Sequence, residues 1–221
     1  MDTTGYWITV DSLILNSISA ITNWLKLRNP IITGARLLRA VSNYMYNKKN
    51  GKKYINSGKK IYGQKSNKTI KKLKFGGAKF GDVGCELIAI YNALCLKKKK
   101  PDIAKIALEF EINGGQMGGG MLGTNPNYIG LYLKAHKIKY TKYETLNKLS
   151  NSISKNNILI MSFWNNKYGK LNLKTYGAGL HTVAVKCISK NKYEAYNYYS
   201  KSKSIGKFDS LKSLLEDLTF I

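Results

Sequence analysis

The stretch Asp82-Val83-Gly84-Cys85-Glu86-Leu87-Ile88-Ala89-Ile90-Tyr91-Asn92-Ala93-Leu94 sets a glycine-led cysteine at the mouth of a strongly apolar run. Leu87, Ile88, Tyr91 and Leu94 recur at helical spacing, which predicts a helix buried on a broad face with Cys85 in its first turn. Unpaired backbone N–H groups and the positive end of the helix dipole stabilise a thiolate, and such a position lowers a cysteine pKa from ~8.5 toward the reactive range. The competing reading is that Cys85 is one more small buried hydrophobe. Its place directly after Gly84, at the head of the helix, argues for reactivity.

A chain of 221 residues with 43% hydrophobic content has enough apolar surface for one well-filled domain plus an extension, or for two small domains. Charge is the outlier: Lys+Arg 37 against Asp+Glu 12 gives +25. That excess signals an anionic partner, such as nucleic acid, a membrane surface or an acidic protein. Abundant Lys, Asn, Ile and Tyr together are also what an A/T-rich coding bias produces, and both explanations stay open. Cys85, Cys95 and Cys187 are an odd set with no CxxC pair, so neither a disulfide framework nor a zinc site is expected, and no cofactor is implied. No secretory signal pattern opens the chain, and Asp11, Asn16, Ser17, Ser19 and Asn23 interrupt its longest apolar stretch, which therefore does not read as a transmembrane helix. The expected location is the cytoplasm, or outside the cell by a route that reads no ordinary signal.

Trp7, Val10, Ile14, Ile18, Ile21 and Leu25 predict an amphipathic helix over residues 6–27, and residues 31–46 predict a second helix packed against it, with Arg36 and Arg39 on the wet side. Residues 47–79 turn to Lys, Gly, Asn and Ser, with an echo in Gly51-Lys52-Lys53-Tyr54-Ile55 and Gly58-Lys59-Lys60-Ile61-Tyr62. They read as a solvated linker or as a basic strip able to track a phosphate backbone. The chain thus divides into residues 1–66, a helical module and basic linker expected to be dispensable for chemistry, and residues 67–221, the domain carrying the cysteine.

Within that domain, helices are predicted over 102–112, over 126–135 after the Asn125-Pro126 start signal, and more weakly over 145–154, with His136 a solvated residue at a helix end. The glycine run from Gly114 to Gly120 lacks the Gly-Lys-Ser/Thr ending of a phosphate loop. From Ile158 the period changes to that of strands, at 158–163, 180–187, 192–198 and 204–208, before a last helix over 209–218. Helices first and an antiparallel sheet afterwards make an α+β class, with the cysteine on the helical side and a histidine on the sheet side.

That histidine, His181, opens an apolar strand directly after Gly177-Ala178-Gly179. A three-residue turn centred on Lys190 would pair Val183 with Asn197 and set His181 diagonally across from Asn197 on one face, whereas a two-residue turn would send Asn197 to the other face. With the first, Cys85 as nucleophile, His181 as base and Asn197 as the group orienting the ring form a Cys-His-Asn set.

In this order of parts the chain resembles the papain-like cysteine peptidases, and among them the bacterial bacteriocin-processing (double-glycine) peptidases and papain-fold toxin domains. The resemblance rests on Gly84-Cys85 heading the helix, on the strand Ile158 to Phe163, and on His181-Thr182-Val183-Ala184-Val185, and covers roughly residues 76–197. It implies a papain-like fold in which the nucleophile helix leads a helical subdomain, an antiparallel sheet carries His and Asn, and an N-terminal helical extension precedes both. It further implies an oxyanion site made by the Cys85 backbone N–H and a glutamine about six residues earlier, a position held here by Lys79. The implied activity is peptide-bond cleavage through a Cys85 thioester, with a peptide or protein as substrate. Two alternatives accompany it: a papain-fold deamidase or acyl-transfer toxin forming the same thioester from a glutamine side chain, and a non-enzymatic basic protein whose linker binds an anionic partner.

Overall fold

The computed structural model describes residues 5–9, 30–143, 146–164, 180–199 and 201–214. Strand β1 (Gly5–Thr9) and helix α1 (Pro30–Asn50) come first, followed by a small hairpin, β2 (Lys74–Phe75) and β3 (Ala78–Lys79). A single turn, α2 (Phe80–Val83), leads into α3 (Cys85–Leu96), α4 (Ile103–Ile112) and α5 (Asn127–Ala135). The remainder is β4 (Tyr140–Tyr143), α6 (Leu146–Ser152), β5 (Ile158–Trp164), β6 (Leu180–Ser189), β7 (Lys192–Tyr196) and β8 (Gly206–Phe208). The expected α+β class holds: helices are followed by a four-strand antiparallel run, β5-β6-β7-β8, within a sheet of order β4-β1-β5-β6-β7-β8.

Alternation along the strands divides the core into two layers. Ile158, Ile160, Ala184 and Tyr196 face α3 and the rest of the helical layer. Leu159, Met161, Phe163, Val183, Val185 and Cys187 face the other way, onto Leu149 of α6 and onto Leu211 and Leu214. Helix α3 is buried on every side rather than on one broad face, from Cys85 through Cys95. A helix apolar all round requires cover all round.

That requirement explains where the sequence expectations fail. The stretch read as a linker is part of the core: Tyr54, Ile61, Ile70 and Leu73 belong to the same buried cluster as α3. Asn92, a polar position inside α3, is buried, and its side chain donates to the Ile61 carbonyl and accepts from the Ile61 N–H, both at 2.8 Å. It reads the backbone of that segment as a neighbouring strand would. Helix α3 needed cover, and the lysines of residues 51–72 stay in water while every few residues an apolar one points inward.

The predicted helix over residues 6–27 is corrected at its start, where Gly5–Thr9 forms a strand parallel to both β4 and β5. Periodicity in a short apolar run with aromatic and β-branched residues does not separate strand from helix, and partners on both edges decided the matter. Residues 10–29 lie outside the described residues, as do residues 165–179 and the end of the predicted helix over 209–218, of which 211–214 are helical.

Helix α1 forms as expected and Arg39 is exposed as its charge suggests, but the rest of the face is reversed. Arg36, placed on the wet side by its charge, donates from Nε and Nη2 to the Glu111 carbonyl at 3.0 and 2.6 Å. It thereby satisfies one of the carbonyls left open in the last turn of α4. Asn43 donates to the Gly76 carbonyl and the Glu111 carboxylate, and Asn47 makes a two-way bridge to the Lys74 backbone. Leu37, Leu38, Val41 and Met45 are on the outside. The β2–β3 turn held by these asparagines is closed further by Gly76, at φ +55, where a Cβ would stand 2.1 Å from the Gly119 carbonyl.

A chain beginning near Lys71 lacks Ile61, Tyr54, α1 and β1, so it is expected not to fold, as read by loss of the cooperative urea transition in far-UV circular dichroism. In the full chain, Ile61→Ala is expected to cost about 3 kcal/mol in the same measurement. A Lys71 start that folds cooperatively would show that these segments are dispensable.

Candidate active site

Gly84 joins α2 to α3, accepting the Ile88 N–H as the first bond of α3 and donating to the Phe80 carbonyl as the last of α2, each at 3.0 Å. A Cβ at this position would meet Phe80 atoms at 2.8 Å, so the close turn that presents Cys85 needs glycine. Helix α3 then lies along β6, and the Cys85 Sγ sits 3.9 Å from the Leu180 carbonyl, to which it donates.

The thiol is 8% exposed. Burial raises its pKa well above the ordinary cysteine value and the neighbouring Glu86 adds to this, while hydrogen bonds from the backbone at Thr182, Glu86 and Cys85 itself pull the other way. The lowered pKa expected from the helix N-terminus is therefore corrected. A helix dipole supplies at most ~2 kcal/mol to a nearby charge, whereas desolvating an ion costs several kcal/mol. Cys85 is a neutral thiol in this arrangement.

His181 and Asn197 are brought together as the strand register requires. The turn is the two-residue Lys190-Asn191, and an irregularity between Cys187 and Ser189 restores the alignment of Cys187 with Tyr193 and Ala184 with Tyr196. Asn197 thus comes next to Val183, the register expected from a three-residue turn, through a bulge that does the work of the extra loop residue. The contact is nevertheless a different one. The His181 Nε2 bonds to the Asn197 main-chain carbonyl at 2.7 Å. Asn197, buried and at φ +60, turns its side chain to Gln64, accepting from the Gln64 N–H at 2.8 Å and donating to Oε1 at 3.2 Å.

Because a carbonyl can only accept, the Nε2 of a neutral His181 carries the proton and Nδ1 carries the lone pair. Burial lowers the His181 pKa, against the raising effect of hydrogen bonds to the backbone at Asn197 and Tyr198, which favours that neutral form. The ring packs edge-to-face on Phe163, its partner across β5 and β6, with centroids 5.8 Å apart. Phe163 belongs to the layer opposite α3. His181 therefore points to the far face of the strand, while the residues on either side of it, Leu180 and Thr182, contact Cys85 through their backbone. No hydrogen bond joins thiol and imidazole among the described residues.

Lys79 is exposed on β3, directly across from Lys74, and has no place among these contacts. The buried glutamine nearby is Gln64, whose Nε2 donates to the Gly81 carbonyl at 3.1 Å and so ties the turn before Cys85 to Asn197. Sequence reasoning passed over it because it lay inside the supposed linker. Its scarcity was the available signal: Gln64 and Gln116 are the two glutamines of the chain, and both are buried. Glu86 is also buried; its Oε1 has no hydrogen-bond partner, and desolvation raises its pKa well above the ordinary carboxylate value against a hydrogen bond from the Thr124 backbone. His136, read as a solvated helix end, is bonded through Nε2 to the Glu109 carboxylate at 2.5 Å and lies against the Tyr132 ring.

No group of three or more His, Cys, Asp or Glu side chains suited to a metal occurs among the described residues. No helix among them is long and apolar enough to cross a membrane. Compared with family models, curated proteins and solved structures, the chain has no match.

The raised Glu86 pKa has a signed consequence. The folded state holds a proton that the unfolded chain releases near pH ~4.3, so this contribution is complete below that pH and is lost as pH rises toward the folded pKa. Glu86→Gln cannot titrate. The stability of the native chain relative to Glu86→Gln is therefore expected to fall between pH 5 and pH 7.5 in urea unfolding, and a constant difference would show that Glu86 is ionised when folded.

Proposed function

We propose that this chain is a papain-like cysteine hydrolase acting on peptide bonds, at rest in a form in which nucleophile and base have not yet met. The observation that carries this reading is the placing of the Cys85 sulfur against the two residues that bracket His181, with that histidine kept neutral by burial and its tautomer set by a carbonyl on Nε2, which leaves the lone pair on Nδ1. A nucleophile at the head of a buried helix and a base on the strand beside it are the two parts such chemistry needs.

Before chemistry the first residues of β6 turn, so that the imidazole comes to the face where Cys85 lies. The Cys85 proton then passes to His181 Nδ1, and the thiolate adds to the substrate carbonyl carbon. As the C–N bond breaks, the imidazolium returns the proton to the leaving amine, and a thioester remains on Cys85. Water activated by the same nitrogen cleaves the C–S bond and restores the thiol. A carbonyl acceptor on Nε2–H, the role the Asn197 main chain fills in the resting form, favours the imidazolium form. The backbone N–H of Cys85 supports an oxyanion. A glutamine side chain attacked in place of a backbone amide would follow the same course, and product masses separate the two: cleavage splits the chain, and deamidation leaves it intact with a small gain.

A second reading, that of a non-enzymatic basic protein, is favoured by the neutral, buried thiol and by the opposite facing of His181. Labelling by a peptidyl chloromethyl ketone decides between them. The hydrolase reading expects selective labelling of Cys85 over Cys95 and Cys187, abolished in Cys85→Ala and slowed at least ~100-fold in His181→Ala. Because the main chain of Asn197 makes the bond to the ring, Asn197→Gly, which tolerates φ +60, is expected to keep labelling within ~10-fold of the native rate. Labelling of Cys85 that is indifferent to His181→Ala would overturn the assignment.

A further inference from the structure

Away from Cys85, a cavity of about 280 Å³ opens between the α3–α4 connection, α4 and the end of α5. Its apolar wall includes Leu94, Ile106, Tyr132 and Ile138, and its charged lining includes Lys99, Lys100 and Lys105. Two carboxylates also line it, and each is already engaged. Asp102 caps α4 by accepting the Ala104 and Lys105 N–H groups and pairs with Lys48 at 3.1 Å, and Glu109 is bonded by His136 at 2.5 Å. The three lysines have no carboxylate within ion-pairing distance among the described residues, so their charge is in surplus.

The backbone that carries these lysines is held in place. The Lys99 N–H donates to the Leu94 carbonyl and the Asn56 N–H to the Pro101 carbonyl, each at 3.0 Å, and Ile55 bridges to Asp102. The cavity is therefore a formed recess with an apolar wall and a cationic rim, the composition of a small-molecule site with a few fixed polar groups. Three lysines among the lining residues suit a doubly charged phosphate, which accepts point-charge donors from several directions. The hydrocarbon wall and the Tyr132 ring suit a flat apolar body attached to it.

We propose that this cavity binds a small phosphate monoester whose organic part is an aromatic or apolar ring, seated against Ile106, Ile138 and Tyr132 with its phosphate among Lys99, Lys100 and Lys105. The site is distinct from the Cys85 site and its occupancy is independent of the hydrolase reading. It assigns part of the chain's excess positive charge to a defined small ligand.

Phenyl phosphate, inorganic phosphate and phenol are the probes, titrated into the full chain by calorimetry and by NMR of the imidazole resonances. The chain has two histidines, and comparison with His136→Gln assigns which imidazole signal is which. Phenyl phosphate is expected to bind at least ~10-fold more tightly than either inorganic phosphate or phenol and to shift His136 but not His181. The double variant Lys100→Glu, Lys105→Glu is expected to lose at least ~10-fold in that affinity, whereas Cys85→Ala leaves it unchanged. Lys100 and Lys105 are exposed, and a far-UV spectrum matching the native one shows that the variant is folded; Ile138→Trp, at a partly buried position of the apolar wall, fills the cavity without changing its charge and gives a second route to the same loss. Binding of phenyl phosphate no tighter than inorganic phosphate, retention of affinity in both variants, or a shift at His181 in place of His136 would overturn the proposal. So would a single-stranded dodecanucleotide that binds where phenyl phosphate does not, since the lysines would then serve a polyanion.

Discussion

Helix Cys85–Leu96 has no side in water, and the rest of the molecule is arranged to give it cover. The sheet supplies one wall through Ile158, Ile160, Ala184 and Tyr196, and helices α4 and α5 supply another through Ile103, Ile106, Ile129 and Leu133. What remained open is closed by residues 51–73, a stretch whose lysines face solvent and whose Tyr54, Ile61, Ile70 and Leu73 face inward. Each large aliphatic side chain fully buried in this way contributes roughly 1.5–3 kcal/mol. The two-way bond between Asn92 and the Ile61 backbone sets the register of that wrapping, because an unpaired amide at this depth costs ~1–3 kcal/mol.

The same enclosure governs the thiol. A sulfur at the first turn of a helix gains from the dipole, but at 8% exposure the loss of water outweighs the gain, and Glu86 beside it works against ionisation as well. Position at a helix N-terminus is thus by itself insufficient to activate a cysteine. In the proposed hydrolase a paired base would change the balance, since proton transfer to His181 would create two opposite charges together in a setting of low dielectric, where their attraction is strong. In the proposed hydrolase, turnover at Cys85 would require a displacement of one strand end; the neutral thiol itself follows from the packing.

Polar residues inside this protein act mostly on backbone. Arg36 closes the end of α4, Asn43 and Asn47 hold the β2–β3 turn, Gln64 spans from Gly81 to Asn197, and Asn197 presents its carbonyl to His181. Each joins segments distant in sequence, and together they connect α1, the wrapping segment and the sheet to the turn that presents Cys85. An amide or guanidinium placed inward satisfies carbonyls and N–H groups that regular structure leaves open. The charge of Arg36 predicted a wet helix face, and the unfilled acceptors of α4 reversed it.

The amino-acid sequence by itself determined helices followed by an antiparallel run of strands, the cysteine at the head of the central helix, and the histidine at the start of an apolar strand; it allowed the alignment of Val183 with Asn197 as one of two registers. These follow from local rules: apolar period, the requirement for glycine before a tight helix start, and alternation along a hairpin. Tertiary structure decided which way those residues face and what they touch. The strand at Gly5–Thr9, the inward lysine-rich segment, the inverted α1, the role of Gln64 and the far-side placement of His181 all arise from contacts between segments far apart in the chain. Period and composition describe a residue's own neighbourhood, whereas the unfilled surface and unpaired backbone groups that drew these residues inward exist only once the rest of the chain has folded around them.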